Sequence, residues 1–395
     1  MTGKARPNVF LTGGAGVGKS YLIRRFQRHV DQREFPILAS TGAAAVLVGG
    51  RTFHSFFGLG ILEGGPGATI ERASRNRQVV RRIRQVKGLI IDEVSMLAGP
   101  VLHVAEVLAR RIRESDLPWG GMQVVTVGDF AQLPPVERDP LKGGGWAFLN
   151  PVWGWSGFQR ELLETQVRCQ DPEYMTILSK IRRGLVDGQV RTYLDERTGP
   201  IELDFEGTRL FPRRDQTDQF NDQRLAELAE DLVVIPTVAS GNARAIEALR
   251  KQAPIPELLK IKIDALIMLR QNDPMGRWVN GSTGHIRRIL PNKLTIELLN
   301  GRVIEIEKGT FSMLDGEGDP IATLTNFPVN LAWASTIHKA QGATMDRLAV
   351  DLARLWEPGQ AYVALSRLTS GNQLRIARWD ISSIRVDSDV MTFLN

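Results

Sequence analysis

A chain of 395 residues with 43% hydrophobic content can fill two or three domains of about 150 residues each, which excludes a small cross-linked scaffold. Glycine and proline, at 38 and 20 residues, stay below the roughly one-quarter share that marks low-complexity disorder, and the single cysteine, Cys169, excludes an internal disulfide and a cysteine-built zinc cluster. The formal charge of +6 at pH 7 fits a polyanionic partner and equally fits a compositional bias of the genome. With no signal peptide and no apolar run near the roughly 18 residues of a membrane span, a soluble, cytoplasmic protein is expected.

The first readable unit begins at once, with the apolar run Asn8-Val9-Phe10-Leu11-Thr12. A glycine-rich turn follows. Then Leu22, Phe26 and Val30 recur at every fourth position between Lys19 and Val30, the spacing of an amphipathic helix. Further apolar runs at Pro36 to Ala39, Gly88 to Ile91 and Gln123 to Val127 are each followed by Ser, Asp or Gly. Strands that feed loops one after another predict an α/β fold with a parallel sheet. Between them, Gly58 to Gln85 breaks the pattern with Gly64-Gly65-Pro66-Gly67 and six arginines (Arg72, Arg75, Arg77, Arg81, Arg82, Arg84), and is expected as a small basic insertion. The chain turns helical at Glu173 to Leu185 and Gln216 to Ala229. It then alternates at Leu294 to Leu298 and Val303 to Glu307 across Asn300-Gly301, a hairpin signature. A small β-barrel is expected there, with a loop at Asp315 to Pro320 before α/β character resumes at Ala332.

Gly13-Gly14-Ala15-Gly16-Val17-Gly18-Lys19-Ser20 fits the P-loop pattern and sits between the strand and the helix that the mechanism needs. Glycines let backbone N–H groups converge on phosphate, Lys19 reaches the β and γ phosphates, and the Ser20 hydroxyl can ligate magnesium. Gly88-Leu89-Ile90-Ile91 ends in Asp92-Glu93, two carboxylates at the tip of a buried strand. Asp92 would hold magnesium, directly or through water, and Glu93 would polarise the attacking water. Such a glutamate suits a hydrolase and is unhelpful to a small-molecule kinase. Gln132, in Gly128-Asp129-Phe130-Ala131-Gln132-Leu133-Pro134-Pro135, fits a γ-phosphate sensor or a plain turn amide.

These stretches, with Leu102 to Gln123, Ser40-Thr41-Gly42-Ala43-Ala44-Ala45, Phe53-His54-Ser55-Phe56, Val279-Asn280-Gly281-Ser282, Ile337-His338-Lys339-Ala340-Gln341-Gly342-Ala343-Thr344 and Ala361 to Arg367, resemble the Pif-one family of DNA helicases, in the B branch of superfamily one with RecD. The likeness runs in family order from about residue 8 to the C-terminus. It implies two RecA-like P-loop NTPase domains: a first over 1–57 and 86–158 with a wedge-like basic insertion at 58–85, and a second over 159–278 and 328–395 with a β-barrel insertion at 279–327. It implies ATP hydrolysis with magnesium, movement 5′ to 3′ on single-stranded DNA, and duties in repair, recombination and telomere maintenance. Duplex junctions, G-quadruplexes and RNA–DNA hybrids are targets it makes plausible, with a monomer in isolation and a nucleoid or nuclear setting.

The resemblance makes Arg168 and Arg367 arginine fingers supplied by the second domain, and adds Gly342 to the nucleotide site. Family members usually carry Gln where Cys169 stands. Ser40, Thr41, Gly42, His54, His338, Lys339 and Thr344 become DNA contacts. Ser40 and Thr41 are also ordinary helix caps, His54 among Phe53, Phe56 and Phe57 also reads as a packed histidine, and the six arginines fit a duplex junction or a solvated helix face. A metal-site reading of His338 fails, because no Cys or second His lies nearby. Only seven residues precede Asn8, so the upstream glutamine motif that reads adenine is expected to be missing and other triphosphates could serve. A DNA-gripping module without turnover and a P-loop phosphotransferase are the rival readings.

Overall fold

The computed structural model describes residues 7–40, 44–45, 51–60, 62, 64–135, 145–202, 204–273, 275–314 and 319–394. Its first lobe is organised by six strands: β1 (Val9–Gly13), β2 (Ile37–Ala39), β3 (Arg51–Thr52), β4 (Gly88–Asp92), β5 (Gln123–Gly128) and β6 (Gln159–Leu163). They run in the order β3-β2-β4-β5-β1-β6, and every pairing is parallel. β2 and β4 are buried at every position, as strands covered on both faces must be. The expected parallel α/β sheet is therefore present. Its carboxyl ends, where ligands of such sheets bind, carry Gly13, Ser40, Asp92 and Gly128.

The second lobe holds a parallel sheet of four strands in the order Ala334–Thr336, Thr208–Phe211, Leu348–Val350, Leu374–Ile376. The helices expected from sequence lie at Pro172–Arg182 and Arg214–Glu227. Asp171 caps the first of them, its carboxylate accepting the Tyr174 N–H.

Two stretches that the sequence reading assigns to the second lobe pack on the first. β6 hydrogen-bonds in register along β1, from Val9 opposite Gln159 to Gly13 opposite Leu163. At the other end of the chain, the helix Ser388–Leu394 brings Phe393 against Phe10, Phe130, Phe148 and Trp153. Aromatic burial outweighs chain proximity there, since such pairs add to an already large buried area. One large cluster of buried apolar residues runs through both lobes, beside two smaller ones, Leu11, Ile23, Ile37, Ile90 and Val127 in the first lobe and Leu249, Ile255, Phe311, Ala322 and Leu324 in the later β region.

The stretch 58–85 is a pair of helices, Gly65–Arg75 and Arg77–Gln85, set on the core through Ala73, Val79 and Ile83. Its arginines divide. Arg82 is buried and donates to the carbonyls of Ser55 and Phe56, Arg84 donates to Ile112 O and Glu114, and Arg75 pairs with Glu71.

In the later β region, Leu294, Ile296 and Leu298 are buried in alternation with Lys293, Thr295 and Glu297, and Gly301 takes φ 82 in the hairpin turn, a conformation glycine adopts without strain. Among the described residues of 279–327 the strands do not close on themselves. Three of them, Thr283–Leu290, Lys293–Leu298 and Val303–Glu307, join Leu266–Leu269 and Val329–Leu331 in a five-stranded antiparallel sheet, and the other two, Gly309–Leu314 and Pro320–Asn326, join Val238–Gly241 in a three-stranded one. The β unit thus draws strands from both sides of the expected insertion. Part of the expected loop, 315–318, lies outside the described residues.

Candidate active site

The P-loop is held in shape by backbone geometry. Gly16 and Gly18 take φ 85 and 87, and Gly18 is the left-handed entry to the helix Lys19–Gln27. A Cβ at Gly13 would stand 2.3 Å from Leu163 O, and one at Gly16 would stand 2.7 Å from Gln166 Oε1. β6 and the residues after it therefore form the wall of the loop. Gly16 O accepts the N–H groups of Val167 and Arg168 at 3.0 and 3.1 Å, and Ala15 O accepts Gln166 Nε2 at 2.7 Å.

Lys19 Nζ donates to Gly13 O and Gly14 O at 2.8 and 2.9 Å. Burial pulls its pKa down, and the nearby carboxylates of Asp129, Glu93 and Asp92 work against that pull. Ser20, next in the chain, is exposed with its hydroxyl at the helix start. Asp92 ends β4 as a buried carboxylate, pushed up to about 7 by desolvation and then by the charge of Glu93. Its Oδ1 accepts the Glu93 N–H at 2.9 Å. Glu93 takes φ 52, an uncommon and strained conformation for a residue with a side chain, and this turns its carboxylate toward the second lobe. There Gln341 Nε2 donates to Glu93 Oε2 at 3.2 Å.

Two arginines bring positive charge to the neighbourhood of Glu93. Arg168 donates to Ser366 O at 3.0 Å, and Arg367 is held by Val363 O at 2.7 Å and Ser366 Oγ at 2.7 Å. Arg367 is almost wholly enclosed, and its pKa is lowered to about 9 by burial and by the like charge of Arg168, with Glu93 opposing. Glu93 is thus the shared electrostatic neighbour of Lys19, Arg168 and Arg367. Gln132 is buried at 5% exposure in the segment after β5. Gly359 presses on it from the second lobe, since a Cβ there would lie 2.3 Å from Gln132 O.

Of the residues expected to meet DNA, Ser40 and His54 belong to the first lobe, whereas His338, Lys339 and Thr344 flank Gln341 in the second. Ser40, at the end of β2, carries a buried hydroxyl with no hydrogen-bond partner among the described residues, and Thr41 and Gly42 lie outside them. His54 sits on the short helix Phe53–Phe57, capped by Thr52, and burial lowers its pKa. Phe53, Phe56 and Phe57 are core residues. The turn that follows Thr336 presents His338, paired with Glu357 at 3.3 Å, and an exposed Lys339 whose N–H is capped by Thr336 Oγ1. Gly342 is exposed at φ 75 with open space around it, and Thr344 N–H donates to Asn280 O. Among the described residues, no hydrogen bond or ion pair joins Ser40 or His54 to this turn.

Sequence reasoning missed three members of the site. Asp129 is fully buried between Arg182 and Tyr362. Asp129 and Tyr362 stand inside stretches singled out for other residues, whereas Arg182, in ordinary helical sequence, carried no signal. Among the described residues there is no cluster of three or more carboxylate, His or Cys side chains suited to a metal. A divalent ion here would share Ser20 and Asp92 with phosphate oxygens, and a buried carboxyl held above its ordinary range is a donor that a cation would return to the charged form.

Comparison with known proteins gives one consistent result. Residues 2–183 match the model of the PIF1-like helicase family. The chain is 52% identical over 386 residues to the ATP-dependent DNA helicase Pif1 of Bdellovibrio bacteriovorus, covering 98% of this chain and 88% of that one. It is 35% identical to the ATP-dependent DNA helicase PIF1 of Danio rerio, a longer protein of which it spans 61%. Among solved structures, Bacteroides sp Pif1 in complex with ADP-AlF4 superposes with a TM-score of 0.87 at 28% identity, covering 99% of this chain and 93% of that one. Bacteroides Pif1 bound to ssDNA, at 27% identity and 98% and 93% coverage, gives 0.65.

Proposed function

The chain belongs to the PIF1-like helicase family, and on that premise we propose that it is an ATP-dependent DNA helicase that moves 5′ to 3′ on single-stranded DNA. The observation that carries this reading is the bond from Gln341 to Glu93. One turn of the second lobe holds both the partner of the hydrolytic carboxylate and the His338-Lys339 pair proposed to grip DNA. A shift in that grip therefore reaches the group that orients water.

In this scheme the P-loop amides and Lys19 bind the triphosphate, Glu93 orients the attacking water, and Gln132 senses the γ phosphate. Arg168 and Arg367 neutralise charge that develops on the transferred phosphoryl group. Ser20 and Asp92 are the side chains that would hold magnesium, which supplies charge neutralisation across the phosphate oxygens when bound. Gly342 borders the nucleotide from the second lobe. Ser40, Thr41, Gly42, His54, Lys339 and Thr344 follow the DNA backbone, with His338 beside them. The closer match to the nucleotide-bound relative than to its DNA-bound form supports a motor that changes shape on DNA. Duplex junctions, G-quadruplexes and RNA–DNA hybrids are the proposed obstacles, and a monomer is the proposed state off DNA.

Phosphate release with and without a single-stranded oligonucleotide tests the proposal, together with unwinding of 5′-tailed and 3′-tailed duplexes. Strong stimulation and preferential opening of the 5′-tailed duplex are expected. Glu93→Gln abolishes hydrolysis while DNA affinity stays. Equal rates with and without DNA would refute the motor.

A further inference from the structure

Asp129 is the most heavily engaged buried carboxylate in the cleft, and none of the roles above uses it. Its Oδ1 accepts the Ala131 N–H at 3.2 Å, Arg182 Nε at 3.1 Å and Arg182 Nη2 at 2.8 Å. Its Oδ2 accepts Arg182 Nε at 3.1 Å and the Tyr362 hydroxyl at 3.2 Å. Burial alone would raise its pKa, and the Arg182 guanidinium outweighs that, so the carboxylate is held below its usual range. Asp129 follows β5 in the first lobe, while Arg182 and Tyr362 come from helices of the second, Pro172–Arg182 and Gln360–Leu365.

The Tyr362 oxygen makes one more bond, accepting the Ala15 N–H at 2.7 Å. It also lies close to Gly14, where a Cβ would meet it at 3.4 Å. P-loop amides are the donors that a triphosphate takes. Here one of them already has an acceptor, fixed to the opposite lobe through Asp129 and Arg182. The helix that carries Tyr362 runs directly into Ser366 and Arg367, and Arg367 Nε is bonded to Val363 O in that same helix.

We propose that Tyr362 is a positioning residue of the ATPase cycle: its phenol oxygen stands in for a nucleotide oxygen at the Ala15 amide, and nucleotide displaces it, moving the helix that delivers Arg367. The inference rests on the P-loop and arginine-finger reading given above. Asp129 and Arg182 fix the phenol in its resting place. A nucleotide therefore competes with an internal ligand, and its arrival is reported to the second lobe by the loss of one defined bond.

The test uses the whole chain and a fluorescent ADP or ATP analogue, titrated without DNA. Tyr362→Phe keeps the ring and removes the competing oxygen, so affinity is expected to rise about three- to ten-fold, the scale of one hydrogen bond. Hydrogen exchange in the segment 13–18 rises in that variant without nucleotide and returns to the parent level with it. Damage to the fold would lower affinity and thermal stability together, so a gain separates the two causes. Arg182→Lys keeps the charge but loses the two-pronged grip on Asp129, and shifts affinity in the same direction by a smaller factor. It is the fallback if the first variant does not fold. Affinity equal to or weaker than the parent's in a folded Tyr362→Phe protein, or no change in exchange at 13–18, overturns the proposal. A parent chain that binds no nucleotide would instead refute the P-loop reading beneath it.

Discussion

The nucleotide cleft and the proposed DNA track are built to different standards of order. In the cleft nearly every working side chain has a partner: Lys19 on Gly13 and Gly14, Glu93 on Gln341, Arg168 on Ser366, Arg367 on Val363 and Ser366. Along the track, Ser40 Oγ is buried with no partner among the described residues and Lys339 is exposed. The first region is braced by hydrogen bonds between the lobes, and in the second Lys339 stays open to solvent. A site for a small, highly charged molecule gains from preorganised donors. A site for a moving polymer must release what it grips.

The contrast is broken most directly at Arg367. If the cleft is preassembled for hydrolysis, Arg367→Ala lowers the DNA-stimulated turnover number by about 10³ to 10⁵ while nucleotide affinity changes little, as read by steady-state kinetics beside a binding titration. A drop under tenfold would mean that the enclosed guanidinium serves packing alone.

A smaller effect concerns Asp92. With its carboxyl pushed up to about 7, protons compete with magnesium below that value. The magnesium concentration for half-maximal hydrolysis should therefore rise about tenfold per pH unit from 7 toward 5. A flat requirement between pH 8 and 6 would place the ion elsewhere. The sign for the fold itself is opposite to that of an ordinary ion-paired aspartate. The folded chain holds a proton that the unfolded chain releases near 3.8, so this group's stabilising contribution fades as pH climbs from about 4 to about 7.

The smallest effect sharpens the other side of the comparison. Lys339→Ala should reduce the slope of log affinity for single-stranded DNA against log salt by about 0.7, the share of one neutralised phosphate. ATP affinity without DNA should stay put. A slope unchanged between the two proteins would remove Lys339 from the track.

What could be read from the sequence follows from how far apart the cooperating residues lie. The P-loop and Asp92-Glu93 are contiguous and sit where apolar strands end, so periodicity and local chemistry suffice. The alternation of Leu294, Ile296 and Leu298 likewise announces its hairpin. Leu266–Leu269, buried at all four positions, has no alternation to reveal that it joins the same sheet. The Asp129 network spans 53 positions to Arg182 and 233 to Tyr362, and only folding brings those groups together. Resemblance supplied Arg168 and Arg367, which spacing alone would have left as surface charges.

The return of Phe393 to the first lobe changes how the halves can move. The polypeptide crosses once where β6 leads into Gln166 to Arg168, and again between Val386, which packs on Gly184, and Phe393. Two straps restrain sliding and leave rotation about the line between them, as a door swings on a pair of pins. Loosening the second strap, for example by Phe393→Ala, should widen the swing and let the halves drift out of register, wasting fuel as slippage on the strand.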